Sequence, residues 1–285
     1  MLRSTEMESV SARLAKTAAL HAGWTAENLL PRRRLLASNA HFRDLHRGKR
    51  CFILGSGKSI VEQDLKPLHG ELVITQNNFH VHADIATIAP AYHCVVPMFH
   101  PPKYAPDWLE WFRSMDERLP KTTHLFAGLN SRALLEKNGL FDGRRHYVRH
   151  GLSSLYLRRA AVDLTRVVME ITTALTQCLE LAIFLGCTKI YLLGFDMTQL
   201  CEGRDRDWGR FYGTSPVTRN EAESAFDDDF DWDGDNYYHF WKMWRGFALL
   251  RSTAEARGSE IVNATRGGLL NCFRRERYED LIAGP

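Results

Sequence analysis

The stretch Arg50-Cys-Phe-Ile-Leu-Gly-Ser-Gly-Lys-Ser59 decides the fold of this chain. Its apolar run, Cys51 to Leu54, stops at the turn Gly55-x-Gly57, which is typical of a buried parallel strand whose end approaches another backbone or a ligand closely. A helix beginning near Ser59 would point its N–H groups at the turn and favour an anion such as a nucleotide phosphate. The alternative is that the glycines serve only a tight turn.

The sequence Gly57-Lys-Ser59 does not make this turn a P-loop. A P-loop has the pattern Gly-x4-Gly-Lys-Ser, and the residue five positions before Gly57 is Phe52. The spacing therefore argues against ATP hydrolysis by a P-loop mechanism.

The composition indicates an ordinary globular protein, with 285 residues of which 45% are hydrophobic and 25% charged. A formal charge of +3 gives no indication of nucleic-acid binding. The six cysteines form no Cys-x-x-Cys pair, so neither a zinc site nor a disulfide framework is predicted. No apolar run reaches the roughly 20 residues of a membrane-spanning helix, and the start of the chain lacks a signal-peptide pattern. We therefore expect a cytoplasmic protein.

Residues 1–48 are predicted to form a helical N-terminal extension. Its basic–apolar junction, Pro31-Arg-Arg-Arg-Leu-Leu36, has two interpretations. One is a peripheral contact with anionic lipid at the inner membrane. The other is a surface helix that packs on its own domain or on a partner subunit of a homo-oligomer.

Strands alternate with helices over residues 49–285. This alternation predicts an α/β fold, with a mainly parallel sheet and helices on both faces. Residues 197–238 carry little regular pattern and are predicted to be an irregular lid. The predicted strands are 51–54, 72–75, 91–96, 124–127, 189–193 and 260–264, and the main predicted helices are 108–115, 164–185, 238–257 and 277–282.

Polar or glycine residues end four of the predicted strands. Parallel strands direct their carboxyl ends to one edge of the sheet, where ligands bind, so we expect these groups to form a nucleotide-sized site. The four strand ends are Gly55-Ser56-Gly57-Lys-Ser59, Gln76-Asn77-Asn78, Gly194-Phe-Asp196 and Asn263-Ala-Thr265.

Two further features lie at the end of the predicted lid. An acidic run contains Asp231, Asp233 and Asp235, which are either metal ligands or part of a solvated acidic loop. His239 follows this run and is a candidate general base, because the pKa of histidine lies near working pH, or else a packed or surface histidine.

Four segments together resemble a bacterial superfamily of surface-glycan enzymes. The superfamily contains the family 42 sialyltransferases, the motility-associated glycosyltransferases and the hydroxymethylpterin diphosphokinase-like proteins. The resemblance covers about residues 48–282, and the segments are Lys49–Ser59, Thr75–Phe79, Thr172–Asp196 and Gly258–Gly268.

The resemblance implies a Rossmann-like nucleotide-binding transferase domain with a lid. It places Gly55, Ser56, Gly57, Ser59, Asn77, Asn78, Thr173 and Asp196 at the nucleotide and makes His239 the base that deprotonates an acceptor hydroxyl. It also implies that no metal or other cofactor is required. The expected partners are a nucleotide-sugar donor, with a CMP-linked acidic sugar as one candidate, and a glycan or glycolipid acceptor of surface-polysaccharide or lipopolysaccharide assembly.

The sequence departs from the sialyltransferase pattern at three places, so the identity of the donor stays open. The start of the long helix contains Ile171-Thr-Thr-Ala-Leu in place of Arg-x-Thr-Ser-Gly, Thr198 replaces a tyrosine, and Val96 replaces an asparagine. Two alternatives remain. One is diphosphate transfer from ATP to a pterin alcohol, with Asp231, Asp233 or Asp235 on Mg²⁺. The other is a non-catalytic transferase-like scaffold.

Overall fold

The computed structural model describes residues 32–98, 105–198, 210–212 and 234–283. Most of the predicted lid and the acidic residues Asp231 and Asp233 lie outside this part of the chain, as do residues 1–31.

The described residues form a nine-stranded sheet in which every pairing is parallel. The spatial order is β6-β5-β4-β3-β2-β1-β7-β8-β9, so the chain moves outward from β1 to β6 and then returns to place β7 on the other side of β1. The strands are β1 Arg50–Leu54, β2 Val73–Gln76, β3 Tyr92–Val95, β4 His124–Gly128, β5 Arg145–Leu152, β6 Val167–Met169, β7 Lys189–Leu193, β8 Glu260–Asn263 and β9 Arg274–Arg275.

Helices cover both faces of the sheet, which confirms the predicted α/β fold. Right-handed crossovers explain the two layers, because the connections from β1 to β6 all step in one direction and those after β6 step in the other. The described helices are α1 Arg32–Ala37, α2 Ile85–Ile88, α3 Ala105–Arg118, α4 Arg132–Lys137, α5 Ala174–Phe184, α6 Gly234–Glu255 and α7 Tyr278–Ile282.

Two hydrophobic cores lie on opposite faces of the sheet. One joins α5 and α6 to side chains such as Ile53 and Ile190, and the other joins α3 and α4 to side chains such as Phe52 and Leu193. Every residue of α5 is buried, since the sheet lies on one side of it and other segments of the chain on the other. Among the described residues, no helix combines the length and apolarity that crossing a bilayer requires.

The structure corrects the predicted helix 164–185 in its first half. Val167–Met169 is the edge strand β6, and the helix begins only at Ala174. Val167 and Val168 favour a strand over a helix because branching at Cβ restricts their side-chain rotamers in a helix. Thr173 then caps the helix, because its hydroxyl oxygen accepts a hydrogen bond from the N–H of Leu175 at 3.4 Å.

Two other features differ from those predicted: two added strands and the start of helix α6. Strands β5 and β9 are additions to the predicted set, since their many charged residues hide a strand pattern. The short helix or turn predicted over residues 59–68 is present as the 3₁₀ helices Lys58–Glu62 and Lys66–Leu68. Helix α6 begins at Gly234, so residues 234–238, which were predicted to belong to the lid, form its first turn.

The described part of the N-terminal extension packs on the main domain. Leu36 and Phe42 are buried, and the ring of Phe42 contacts the ring of Phe126 at a centroid distance of 5.1 Å. The buried amide of Asn39 donates hydrogen bonds to the carbonyls of Tyr147 and Leu164, both at 2.9 Å. Phe42 therefore contributes to the core on the face of α5.

We predict that Phe42→Ala lowers the free energy of unfolding by about 3–5 kcal/mol, because it leaves a cavity beneath the N-terminal segment. Denaturant titration of the full chain measures this loss. Leu45→Ala is the matched control: Leu45 is 52% exposed and its truncation should change stability by less than about 0.5 kcal/mol. Equal stabilities of the two variants would show that the segment is not part of the cooperative core.

Candidate functional site

The candidate site lies at the carboxyl edge of the sheet. The four strands whose polar ends were predicted to converge, β2, β1, β7 and β8, are adjacent and parallel in that order. The direction of the chain along the sheet reverses between β1 and β7, and ligands of open α/β sheets bind at such a switch point. The fold therefore brings the four predicted strand ends together.

The turns after β1 and β7 are in direct contact because both contain glycine. A Cβ on Gly55 would lie 2.5 Å from the carbonyl oxygen of Gly194, and a Cβ on Gly194 would lie 2.8 Å from that of Gly55. Gly194 also has a φ of +72°, which side chains disfavour. The N–H groups of Gly55 and Gly57 donate to the carbonyls of Leu193 and Gly194, each at 2.8 Å.

Asp196 is held by the turn that follows β1. One carboxylate oxygen accepts from the backbone N–H of Ser59 at 3.0 Å, and the other accepts from the Ser59 hydroxyl. A Cβ on Gly57 would lie 2.6 Å from the Asp196 carboxylate carbon, so Gly57 leaves room for this group. The N–H groups of Gly55, Gly57 and Ser59 are thus committed to acceptors within the protein.

The short segment 210–212 crosses the same turn. Arg210 and Gly57 form an isolated antiparallel bridge, and the N–H of Phe211 donates to the carbonyl of Ser56 at 3.1 Å. The guanidinium of Arg210 donates to the hydroxyl of Ser56 at 2.7 Å. The segment therefore places a cation beside the turn.

The two asparagines after β2 face different surroundings. Asn77 has a φ of +43°, and its side-chain oxygen accepts a long hydrogen bond of 3.4 Å from the N–H of Val96. Asn78 is buried, and its side-chain oxygen accepts from the indole N–H of Trp111 at 2.5 Å. Asn77 thus joins the ends of β2 and β3, whereas the side-chain oxygen of Asn78 is directed into the core.

His239 lies beside the start of α5, because its ring forms a hydrogen bond to the backbone of Thr172. The residue is exposed at the surface of α6, yet surrounding protein still lowers the pKa of its imidazole below 6.5 by desolvation. The positive charge of Lys242 lowers that pKa further, while the bond to Thr172 opposes the shift. At neutral pH the ring is therefore uncharged and retains one nitrogen that can accept a proton.

Glu170 connects α6 to the loop that follows β5. It accepts hydrogen bonds from the N–H of Ser154 at 2.9 Å and from the Ser154 hydroxyl at 2.8 Å. The ammonium of Lys242 lies 2.8 Å from its other carboxylate oxygen. This ion pair is one helical turn from His239, so it fixes the first turns of α6 against the carboxyl edge of the sheet.

The candidate metal ligands cannot be placed together. Asp231 and Asp233 lie outside the described residues, and of Asp235 only the helical backbone is described. Within the described part of the chain, no group of three or more histidine, cysteine, aspartate or glutamate side chains has the geometry of a metal site.

Sequence reasoning missed three charged residues of this edge, Arg210, Glu170 and Lys242. Arg210 lies in a stretch without regular pattern, and nothing local marks it as a neighbour of Ser56. Glu170 follows the apolar triplet Val167–Met169, and an acidic residue immediately after a recognised strand would have indicated a further polar strand end.

No protein-family model matches the sequence, and no curated protein matches it with significant sequence similarity. Two structures of the sialyltransferase CstII from Campylobacter jejuni are similar in fold, each with 15% sequence identity. The complex with cytidine-5'-monophosphate covers 80% of this chain and 85% of its own, with a TM-score of 0.44. The complex with CMP-3FNeuAc covers 57% and 70%, with a TM-score of 0.32.

We predict that Gly57→Ala lowers the free energy of unfolding by about 1–3 kcal/mol, because its new methyl group would displace the Asp196 carboxylate from Ser59. Chemical denaturation of both forms measures the difference. Gly246→Ala is the control: it lies in α6, where a Cβ meets nothing closer than 3.6 Å, and alanine is favoured over glycine in a helix by about 0.5–1 kcal/mol. A Gly57→Ala protein as stable as the Gly246→Ala protein would contradict the packing explanation.

Proposed function

We propose that this protein is a glycosyltransferase that transfers a sugar from a nucleotide-activated donor to an acceptor hydroxyl. The single observation that carries the proposal is that the switch point between β1 and β7 and a histidine bonded to the backbone of Thr172 both lie at the carboxyl edge of the sheet. In this proposal the nucleotide binds at the switch point, and His239 beside the start of α5 supplies a base. The resemblance of the strand-end motifs to family 42 sialyltransferases supports the same function.

Each group at the edge has a role in this proposal. The carboxylate of Asp196 accepts a hydrogen bond from a ribose hydroxyl, and Asn77 and Thr173 contact the rest of the donor nucleoside. Arg210 supplies positive charge for the donor phosphate, because the turn N–H groups of Gly57 and Ser59 are already bound within the protein.

In the transfer step, the acceptor oxygen attacks the anomeric carbon of the donor. The bond from that carbon to the nucleotide oxygen breaks, and its electron pair leaves with the nucleotide. The free ring nitrogen of His239 takes the proton of the acceptor hydroxyl, while the hydrogen bond to Thr172 keeps the ring oriented. His239 must be uncharged before the step, because its ring becomes positively charged when it takes this proton.

We expect the full chain to bind at least one of CMP, CDP, UDP and GDP, seen as a rise in melting temperature in a thermal-shift titration. His239→Ala should bind the same nucleotide with nearly unchanged affinity and should lose about 100-fold or more in kcat, because a general base contributes about 10²–10⁴ to rate.

Two results would contradict the proposal. One is the absence of a shift with all four nucleotides, and the other is unchanged kcat in His239→Ala. ATP with Mg²⁺ belongs in the same panel, because binding of ATP that depends on Mg²⁺, without any response to CMP, supports diphosphate transfer to a pterin alcohol instead.

The pH dependence of kcat/KM should show an acid limb below pH 6.5. The base is active when His239 is uncharged, and its pKa is lowered, so activity rises with pH through a value below 6.5 and is lost on acidification. Lys242→Gln removes a positive charge that lowers this pKa, so the limb should move to higher pH. Lys242→Arg keeps the charge and should leave the limb in place, and a limb that moved equally in both variants would exclude electrostatics as the cause.

A further inference from the structure

Asn77, just past the carboxyl end of β2, has an uncommon backbone conformation. Its φ of +43° lies in the left-handed region, and Met197, directly after Asp196 at the same edge of the sheet, has a φ of +53°. Residues other than glycine persist in this region only where their surroundings hold them there, and they concentrate at functional sites. The side-chain oxygen of Asn77 accepts from the N–H of Val96 at 3.4 Å, so its amide –NH₂ is the end that can donate to a ligand.

His80 holds the backbone of Asn77 from inside the protein. Its Nδ1 lies 3.1 Å from the carbonyl oxygen of Asn77, and its Nε2 lies 3.2 Å from the hydroxyl of Ser114 in α3. Because a carbonyl oxygen only accepts, Nδ1 carries the proton and Nε2 accepts from the hydroxyl. One imidazole ring therefore connects Asn77 to helix α3.

The His80 ring is uncharged and has one fixed tautomer. The residue is completely buried, and this burial lowers the pKa of His80 to about 4. The hydrogen bond to Asn77 opposes the shift, while the positive charge of Arg118 adds to it. A ring that stays uncharged at neutral pH is suited to holding a backbone group in place and not to transferring a proton.

A second buried histidine supports the end of the same strand. Nδ1 of His93, in β3, lies 2.8 Å from the hydroxyl oxygen of Thr75 in β2, and the His93 ring centroid is 6.4 Å from that of His80. Burial and the neighbouring His80 ring lower the pKa of His93 to about 3. Burying polar rings costs free energy that apolar side chains would not cost, which points to a use for their directional hydrogen bonds.

We propose that His80, held in turn by Ser114, is a positioning residue of the nucleotide site. It keeps Asn77 in the conformation from which the amide –NH₂ of Asn77 donates to the nucleoside. The proposal rests on the proposed function for the presence of a nucleotide at this edge. His80 itself touches neither the nucleotide nor the reacting atoms.

Two substitutions of His80 separate positioning from packing. In His80→Asn the amide nitrogen takes the place of Nδ1 and keeps the bond to the Asn77 carbonyl. In His80→Gln the amide takes the place of Nε2 and keeps only the bond to Ser114. Both variants lose the imidazole ring, so chemical denaturation should show a loss of stability in each.

Nucleotide affinity is the quantity that should distinguish the two variants. The probe is whichever of CMP, CDP, UDP and GDP binds the native full chain most tightly, titrated by calorimetry. We expect His80→Gln to weaken binding by about fivefold to tenfold, and His80→Asn by less than about twofold, because only the second keeps the bond that holds Asn77.

His69→Gln is the matched control. Nδ1 of His69 also contacts a backbone carbonyl oxygen, that of Thr87 at 2.8 Å. His69 precedes β2, however, and so lies at the opposite edge of the sheet from Asn77. This variant should bind nucleotide as the native chain does.

The tautomer of His80 gives a reading that needs no ligand. Long-range ¹H–¹⁵N spectra should show the His80 ring protonated at Nδ1 and uncharged from about pH 8 to about pH 5. A ring protonated at Nε2 would overturn the proposal. So would unchanged affinity in His80→Gln, or equal losses of affinity in His80→Gln and His80→Asn.

The nucleotide panel separates this proposal from the function on which it rests. Nucleotide binding that does not distinguish the two His80 variants overturns the positioning role alone. Binding of ATP with Mg²⁺ in place of the other nucleotides, with the expected difference between the variants, keeps the positioning role and overturns the glycosyltransferase. Binding of no nucleotide overturns both.

Discussion

The contact between the turns after β1 and β7 is the constraint on which the candidate site depends. Gly55 and Gly194 approach so closely that a Cβ on either would collide with the carbonyl oxygen of the other. Their N–H and carbonyl groups continue the β1–β7 pairing past the ends of the strands. This contact places Asp196 beside Ser59, so that a carboxylate lies in a fixed position at the switch point of the sheet.

A second constraint positions His239. Helix α5 is buried along its whole length, and polar side chains connect it to the sheet: Gln177 donates to the carbonyl of Phe126 at 2.8 Å, and Glu180 contacts His150 at 3.0 Å. Burial raises the pKa of Glu180 to about 7. These directional contacts fix α5 relative to β4 and β5, and the residues just before α5 hold His239.

The parts of the fold that could be predicted from the sequence are those determined by neighbouring residues along the chain. The run Cys51 to Leu54 followed by Gly55-x-Gly57 is recognisable because a buried strand and a tight turn each have their own residue types. Helix 164–185 was predicted too long, because Val167 and Val168 are as apolar as the helix that follows, and apolarity alone does not separate a buried strand from a buried helix. Arg210 could not be found, because only tertiary structure brings it to Ser56.

The Asp196 carboxylate and the Arg210 guanidinium, both beside the glycine turn after β1, also limit how a nucleotide could be oriented there. A phosphate in place of the Asp196 carboxylate would take both donors of Ser59 and leave Asp196 without them, next to a like charge. A ribose hydroxyl can donate to the carboxylate while both of its bonds to Ser59 remain. Arg210, on the segment that crosses the turn, then attracts the anionic end. Under the proposed function, the donor would therefore face Asp196 with its sugar–base part and Arg210 with its phosphate.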